Sequence, residues 1–404
     1  MGKTGHCGEG LRIDRRSLLT VSVALLLAGA PTCAQASDFS EYLKSLWPAA
    51  QAAGVTRETF ESVIAGLTPD PQVVSKPARQ AEFTISIPAY VAASVTNGRV
   101  SRGRSVLGEL AGPLRRGQER SGVPGEIVVA ILGVESAYGT GAGGADVLRV
   151  LATLAFEGHR RELFEQEFVA ALTILQNGQA TRTQLRGSWA GAMGMPQFMP
   201  SAYLKYAIAD DGAGTADIWG SRADAVASIA NFLARSGWVA GLPAIVEIRL
   251  PDGFDYAQFD LDFAQWRGLG VAAADGAALP AAGAASLYLP AGAAGPAFLI
   301  TDNFEVIRQY NTSDAYGLSV ALLAERIAGR TAPRTPWPAV SPLSTAECKA
   351  LQQALTARGH YHGTIDGKLG RAARNAVHAF QIAEGIQPAD GFAIRAVLAR
   401  LRAR

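Results

Sequence analysis

Glu135 closes the run Ile131-Leu132-Gly133-Val134-Glu135-Ser136, where a lone carboxylate follows a string of apolar residues. On a helix, Val128, Ile131, Leu132 and Glu135 fall at i, i+3, i+4 and i+7, so the carboxylate stands on the apolar stripe. Desolvation there disfavours the charged form and is expected to raise the pKa. A carboxylic acid still protonated near neutral pH can protonate a leaving oxygen, the step that glycosidic cleavage needs. The same pattern also fits a buried structural glutamate satisfied by a partner. A second segment bears on that choice. Gly187 to Ser201 is dense in small residues, which let a flat substrate lie close to the backbone, and Ser188 and Gln197 add hydrogen-bonding groups. A close-packed helix junction has the same composition.

The elements that must position these groups are mostly helical. Apolar residues recur at helical spacing over 38–66, 85–97 and 104–121, and one long helix is expected from Ser121 to Tyr138, with Pro124 in its first turn and Gly139 and Gly141 ending it. Two more helices are expected over Leu148–Phe156 and Arg161–Leu175. Ser221-Arg222-Ala223-Asp224 opens a capped helix that runs to Arg235 and stops at Gly237. After Trp238 the texture changes. Ile245 to Leu250 alternates like a strand, and Ser286–Pro290 and Phe298–Thr301 read as short strands in an Ala/Gly/Pro-rich stretch. Helix returns over Tyr316–Ile327, followed by a linker of residues 331–342 bearing Pro333, Pro336, Pro338 and Pro342. A helical unit over 343–404 closes the chain. The fold class is therefore mostly α with a small β-containing insertion.

Composition narrows the function classes. Apolar residues make up 49% and charged residues 18% of the 404, so a packed core is expected rather than disorder. Residues 1–36 read as a signal peptide: Arg12, Arg15 and Arg16 precede an apolar run from Leu18 to Ala30, and Ala34-Gln35-Ala36 is a cleavage pattern. Asp14 to Leu19 is similar to a twin-arginine signal. Export to the periplasm follows, and Pro31-Thr32 before Cys33 is a poor lipobox, which disfavours a lipid anchor. No later run is long enough to span a bilayer. Only Cys348 would remain after cleavage, so no internal disulfide is expected. The net charge of +2 hides a net of +5 over 342–404 and about −5 over 37–341. A basic tail beside an acidic body suits an anionic polymer, and so modest a patch in an exported protein argues against nucleic acid.

Four motifs together carry a resemblance. Gly133-Val134-Glu135-Ser136, Gly187 to Ser201, the helix end with Asn231-Phe232 and Gly237-Trp238, and Tyr310-Asn311-Thr312-Ser313 before Tyr316 resemble the membrane-bound lytic murein transglycosylase B family, over about residues 38–330. The resemblance implies a lysozyme-like catalytic domain over 37–330. It also implies cleavage between N-acetylmuramic acid and N-acetylglucosamine in peptidoglycan strands with release of a 1,6-anhydro sugar. Glu135 would serve as the single acid and base, with the substrate N-acetyl oxygen in place of a second carboxylate. Ser188 would orient the acetamido group or Glu135, and Gln197, Tyr90, Tyr310 and Asn311 would line the groove.

The tail resembles the three-helix peptidoglycan-binding domain through Leu351-Gln352-Gln353-Ala354-Leu355, Gly359 to Gly363, Asp366 to Gly370, Ala376 to Gln381 and Asp390-Gly391-Phe392. Its glycines read as turn punctuation, and Leu351, Leu355, Val377 and Phe380 as core. His360 and His362 with Cys348 read as loop residues rather than zinc ligands. Some members of the transglycosylase family carry a calcium loop. Here Ala209 and Ala213 occupy its aligned first and fifth positions, so neither a metal nor any other cofactor is expected. The expected partner is the glycan strand, with other cell-wall enzymes as further candidates, and the chain is expected to be a monomer. Two rivals remain open at this stage: a non-catalytic murein-binding scaffold, and a hydrolytic muramidase that draws a second carboxylate from Asp146, Glu157 or Glu165.

Overall fold

The computed structural model describes residues 33–74, 85–158, 160–331, 333–339, 341 and 343–403. The expected signal peptide falls outside them, except that residues 33–36 open the first helix. Among the described residues, the first helices are α1 (Cys33–Ser45), α2 (Trp47–Ala52), α3 (Arg57–Ile64) and α4 (Pro71–Val74). Then come α5 (Ile87–Ser94), α6 (Asn97–Glu109), α7 (Ala111–Ser121) and α8 (Gly125–Ser136). A small hairpin-like pair, β1 (Ala145–Asp146) and β2 (Arg186–Gly187), brackets α9 (Val147–Glu157) and α10 (Arg161–Gln176); α11 (Pro200–Tyr206) and α12 (Arg222–Arg235) follow. Thr56, Ser86, Thr96, Asp146 and Ser221 each cap a helix by accepting a backbone N–H, as their types predict.

The expected helix from Ser121 to Tyr138 is broken at its start. α7 ends at left-handed Gly122 (φ 69°), and Pro124 is the extended N-cap of α8 rather than part of its first turn. Proline bars the preceding Val123 from helical geometry, so the chain must leave one helix before entering the next. The apolar stripe is also wider than expected. Ile127 to Gly133 are all buried, and α8 packs against α6, α7, α12 and α15 (Asp314–Ile327). A helix apolar all round belongs in the middle of a core.

The insertion is a five-stranded antiparallel sheet in the order β4-β6-β7-β3-β5. Its strands are β3 (Ile245–Arg249), β4 (Asp260–Asp262), β5 (Ala272–Ala273), β6 (Ala284–Tyr288) and β7 (Ala297–Ile300), with α13 (Phe263–Gly268) after β4. It builds its own core around Phe263, Trp266, Leu287 and Leu299. α14 (Asp302–Tyr310) then leads back into α15 and the main core.

The tail folds as α16 (Thr345–Ala357), α17 (Arg371–Ala383) and α18 (Arg395–Arg402), and Leu351, Leu355, Val377 and Phe380 are fully buried. Two glutamines explain its Asp-Gly pairs. Gln352 donates to Asp366 and accepts from Gly367 N, and Gln381 donates to Asp390 and accepts from Gly391 N. Both glycines need left-handed backbone (φ 81° and 69°), where a side chain would be strained.

The described residues of the Pro-rich stretch have no regular secondary structure, and several of them lie on the insertion. Glu247 accepts the N–H groups of Arg334 and Thr335, and Trp337 packs on Phe298. The tail itself touches the insertion. Asp390 accepts from Ala293 N at 2.9 Å, the Arg374 guanidinium sits 5.6 Å over the Tyr288 ring, and His378 meets Phe259 edge-on.

Candidate active site

α8 delivers Glu135 to its last turn, half-buried, with α15 crossing beside it. The Tyr316 hydroxyl, on α15, donates to Glu135 Oε1 at 2.6 Å. Tyr316 is 1% exposed, so its ring cannot swing away without opening the core. Burial pushes the Tyr316 phenol well above its ordinary pKa, and the negative charge of Glu135 pushes it further. The phenol therefore stays protonated and remains a donor to the carboxylate. By sequence alone, Tyr316 opens a helix and has no assigned role. Its contact crosses 181 positions, and only the packing of α15 on α8 reveals it.

Two of the other expected groups, Tyr310 and Tyr90, share the electrostatic surroundings of this pair. Tyr310 is held up by burial and then by the Glu135 charge, which places its hydroxyl in the same field. Its hydroxyl donates to Pro196 O at 2.7 Å, and its ring packs on Phe198 and Phe232, so it ties α14 to the 187–201 loop. Tyr90, from α5, adds to the same upward push on Tyr316. Asn311 accepts from Ser313 N and shapes the turn into α15. Ser188 and Gln197 are engaged with backbone. The Ser188 hydroxyl accepts from Ala190 N and Ala192 N. Gln197, itself left-handed (φ 55°), donates to Gly194 O and to Ala142 O, so it stitches the 187–201 loop to the loop that follows Glu135.

The small residues of that loop are required by close approach. A Cβ at Gly187 would collide with Ala192 O, and one at Gly143 with Gly187 O. The chain after Glu135 is also strained. Ala137 (φ 48°) and Tyr138 (φ 63°) are consecutive non-glycine residues in left-handed geometry, each costing about 1–2 kcal/mol. Burying Val128, Val129, Ile131 and Leu132 contributes about 1.5–3 kcal/mol apiece, which more than offsets that strain.

Two of the three candidate second carboxylates, Asp146 and Glu165, are committed elsewhere. Asp146 takes a two-pronged contact from Arg182 (2.7 and 2.8 Å) and caps α9. Glu165 accepts from Tyr42, and Glu157 is exposed at the end of α9. Among the described residues, no helix is long and apolar enough to cross a membrane.

Residues 38–325 match the Transglycosylase SLT domain family, and residues 344–401 match a peptidoglycan binding domain family. The chain belongs to the SLT transglycosylase family. A curated relative, membrane-bound lytic murein transglycosylase B of Escherichia coli (strain K12), is 38% identical over 166 residues, which are 40% of this chain and 46% of that protein. The aligned part thus spans less than half of that relative. SltB3 from Pseudomonas aeruginosa, solved in complex with NAG-anhNAM-pentapeptide, is 43% identical with a TM-score of 0.84, covering 90% of this chain and 99% of that one. Escherichia coli Slt35, solved in complex with calcium, is 28% identical with a TM-score of 0.60, covering 72% and 92%. The mostly helical, lysozyme-like fold with a C-terminal three-helix unit is accordingly that of the family.

The calcium complex of Slt35 raises the question of whether the matching loop of this chain fits the ion. The acids of the 209–217 loop already have protein donors. Asp210, 6% exposed, is paired with Arg116 and Arg120. Asp217 accepts from Trp219 N and Gly220 N, and Asp224 from Asp210 N and Asp217 N. Two guanidinium groups beside the loop, with Ala209 and Ala213 lacking side-chain oxygens, do not fit a hard cation that takes six to eight oxygens.

Proposed function

We propose that this protein is a lytic transglycosylase that cleaves the β-1,4 bond between N-acetylmuramic acid and N-acetylglucosamine in peptidoglycan and leaves a 1,6-anhydro-muramoyl end. The observation that carries the reading is Glu135 at the end of a buried helix, half-buried and held at one oxygen by Tyr316, within the family match. Glu135 as the acid protonates the bridging oxygen, and the bond from that oxygen to C1 breaks. The N-acetyl carbonyl oxygen of the sugar shares the positive charge left at C1. The Glu135 carboxylate then takes the proton of the C6 hydroxyl, O6 bonds to C1, and the acid is restored with no water consumed. One protein carboxylate suffices, which agrees with Asp146 and Glu165 being bound to other partners.

Ser188, Gln197, Tyr90, Tyr310 and Asn311 form the groove in this reading. Gln197 and Ser188 act chiefly by fixing the loop that carries them. In this reading the catalytic unit is 37–330, the linker is 331–342 and the binding unit is 343–404, whose +5 charge draws it to anionic murein. Residues 1–36 direct export, so the enzyme meets its polymer in the periplasm. Digestion of purified sacculi, with the fragments weighed by mass spectrometry, tests the reading. Anhydro ends are expected from the native enzyme, and Glu135→Gln should lower their release by about 10²–10⁴-fold while the protein stays folded. Reducing ends would instead mean a hydrolytic muramidase. Near-normal turnover by Glu135→Gln would remove Glu135 from the mechanism.

A further inference from the structure

The strained pair after Glu135 has a specific anchor. Tyr138 is 4% exposed although it lies beyond the end of α8. Its ring folds back over the helix: a Cβ at Gly133 would meet the Tyr138 ring at 2.5 Å. Its hydroxyl crosses to α6 and donates to Arg99 O at 2.7 Å. There it lies in a slot where a Cβ at Gly103 would meet both the Tyr138 hydroxyl (2.7 Å) and Ile327 Cδ1 (2.5 Å). Ile327 belongs to α15, the helix that carries Tyr316. The backbone is bound in the same way. Tyr138 N donates to Leu132 O, and Gly139 N and Gly141 N both donate to Ser136 O, the carbonyl next to Glu135.

We propose that Tyr138 is a positioning residue for Glu135: it clamps the last turn of α8 to α6 and α15, and thereby fixes the distance between the Glu135 carboxylate and the Tyr316 hydroxyl. The inference rests on Glu135 being the catalytic acid. Left-handed geometry at two non-glycine residues persists only where the surroundings enforce it. Here the enforcing contacts are the ring over Gly133 and the hydroxyl on Arg99 O. Tyr316 from α15 bonds the acid directly, the Glu135 charge reaches Tyr310 from α14, and Tyr90 from α5 acts on Tyr316. Around Tyr138 they are Arg99 and Arg102 from α6.

The experiment is a double-mutant cycle in the full chain with Tyr138→Phe and Tyr316→Phe, read by kcat, KM and the alkaline limb of the pH–rate profile, with Tyr138→Ala as a harsher variant. Loosening the clamp lengthens the bond from Tyr316 to Glu135. Tyr138→Phe is therefore expected to lower kcat by about three- to tenfold with KM unchanged, and to move the alkaline limb upward as Tyr316→Phe does. The double variant should lose less than the product of the two single losses, because both act through one carboxylate placement. The limb position is a property of the active molecules, so it stays readable even if Tyr138→Ala is partly unfolded. An unmoved limb, multiplicative losses, or a loss confined to KM would overturn the proposal. Glu135→Gln serves as the reference. If it remains active, the catalytic reading itself fails; if it is inactive while the cycle is multiplicative, only the role of Tyr138 fails.

Discussion

Removing one hydroxyl from Tyr316 offers a sharp test of how Glu135 is tuned. Tyr316→Phe keeps the ring in its buried slot and deletes the 2.6 Å bond to Oε1. A hydrogen bond to a charged group contributes about 1.5–3 kcal/mol. That bond favours the carboxylate over the carboxylic acid, so its loss raises the Glu135 pKa. At about 1.4 kcal/mol per factor of ten, the carboxylate loses about ten- to a hundredfold of its advantage over the acid form. The sign follows from the role. The acid must be protonated to act, so activity falls as pH rises through its pKa, and the alkaline limb should move to higher pH in the variant. The plateau should fall as well, because the carboxylate loses its orienting partner. Release of anhydro product from a short soluble glycan, followed across pH with native enzyme and variant side by side, measures both effects. A limb that stays in place or moves to lower pH would mean that Tyr316 does not stabilise the ionised form of Glu135.

Calcium should not change the melting temperature, because Arg116 and Arg120 already neutralise Asp210; a rise of several degrees over a chelator-treated sample would show that the loop rebuilds an oxygen site. Deleting 343–404 should weaken co-sedimentation with sacculi while cleavage of short soluble glycans persists, and loss of that cleavage would mean that the docked tail is needed for the chemistry. Burial pushes Tyr138 and Tyr203 up to about 12 and holds Tyr288 and Tyr316 well above the ordinary value of 10.0. Their folded-state pKa values are raised, so this stability is intact below about pH 10 and declines as pH climbs through the folded values. Melting temperature should fall in that alkaline window, and a flat profile would contradict the buried, protonated phenols.

The helical body was legible because its periodicity is long and its caps are standard. Ser221 and Gly237 bound α12 as their types require, with Ser221 accepting from Asp224 N and Gly237 left-handed. The insertion was harder to read. β4, β5 and α13 were not anticipated, since strands of two or three residues carry no usable alternation. One signal there was available: Asp262 and Gln265 form a capping box at the start of α13. α14 was likewise overlooked, although Thr301 caps it and Phe304 and Ile307 face inward. In the tail, the turn glycines were readable but their glutamine clamps were not, because each joins positions nine to fifteen apart through a buried side chain.

The site divides along the same physical line. Glu135 could be found because its oddity is local, a carboxylate in an apolar run. Ser188 and Gln197 could be picked out by type, but type does not say which partner a donor finds. Gln197 spends its amide on Ala142 O, 55 positions away, and thereby acts on the loop that follows the acid. Tyr316 and Tyr138 are harder still, since each matters through a helix brought alongside by the core: α15 for the first, α6 for the second. Both are aromatic residues that a periodicity argument assigns to packing, and both are indeed packed. Their hydroxyls are what distinguish them, one placed on Glu135 and the other on Arg99 O. A buried tyrosine whose hydroxyl reaches across elements toward a carboxylate or a strained turn has more to do than fill volume, and in this chain two such residues flank the same acid.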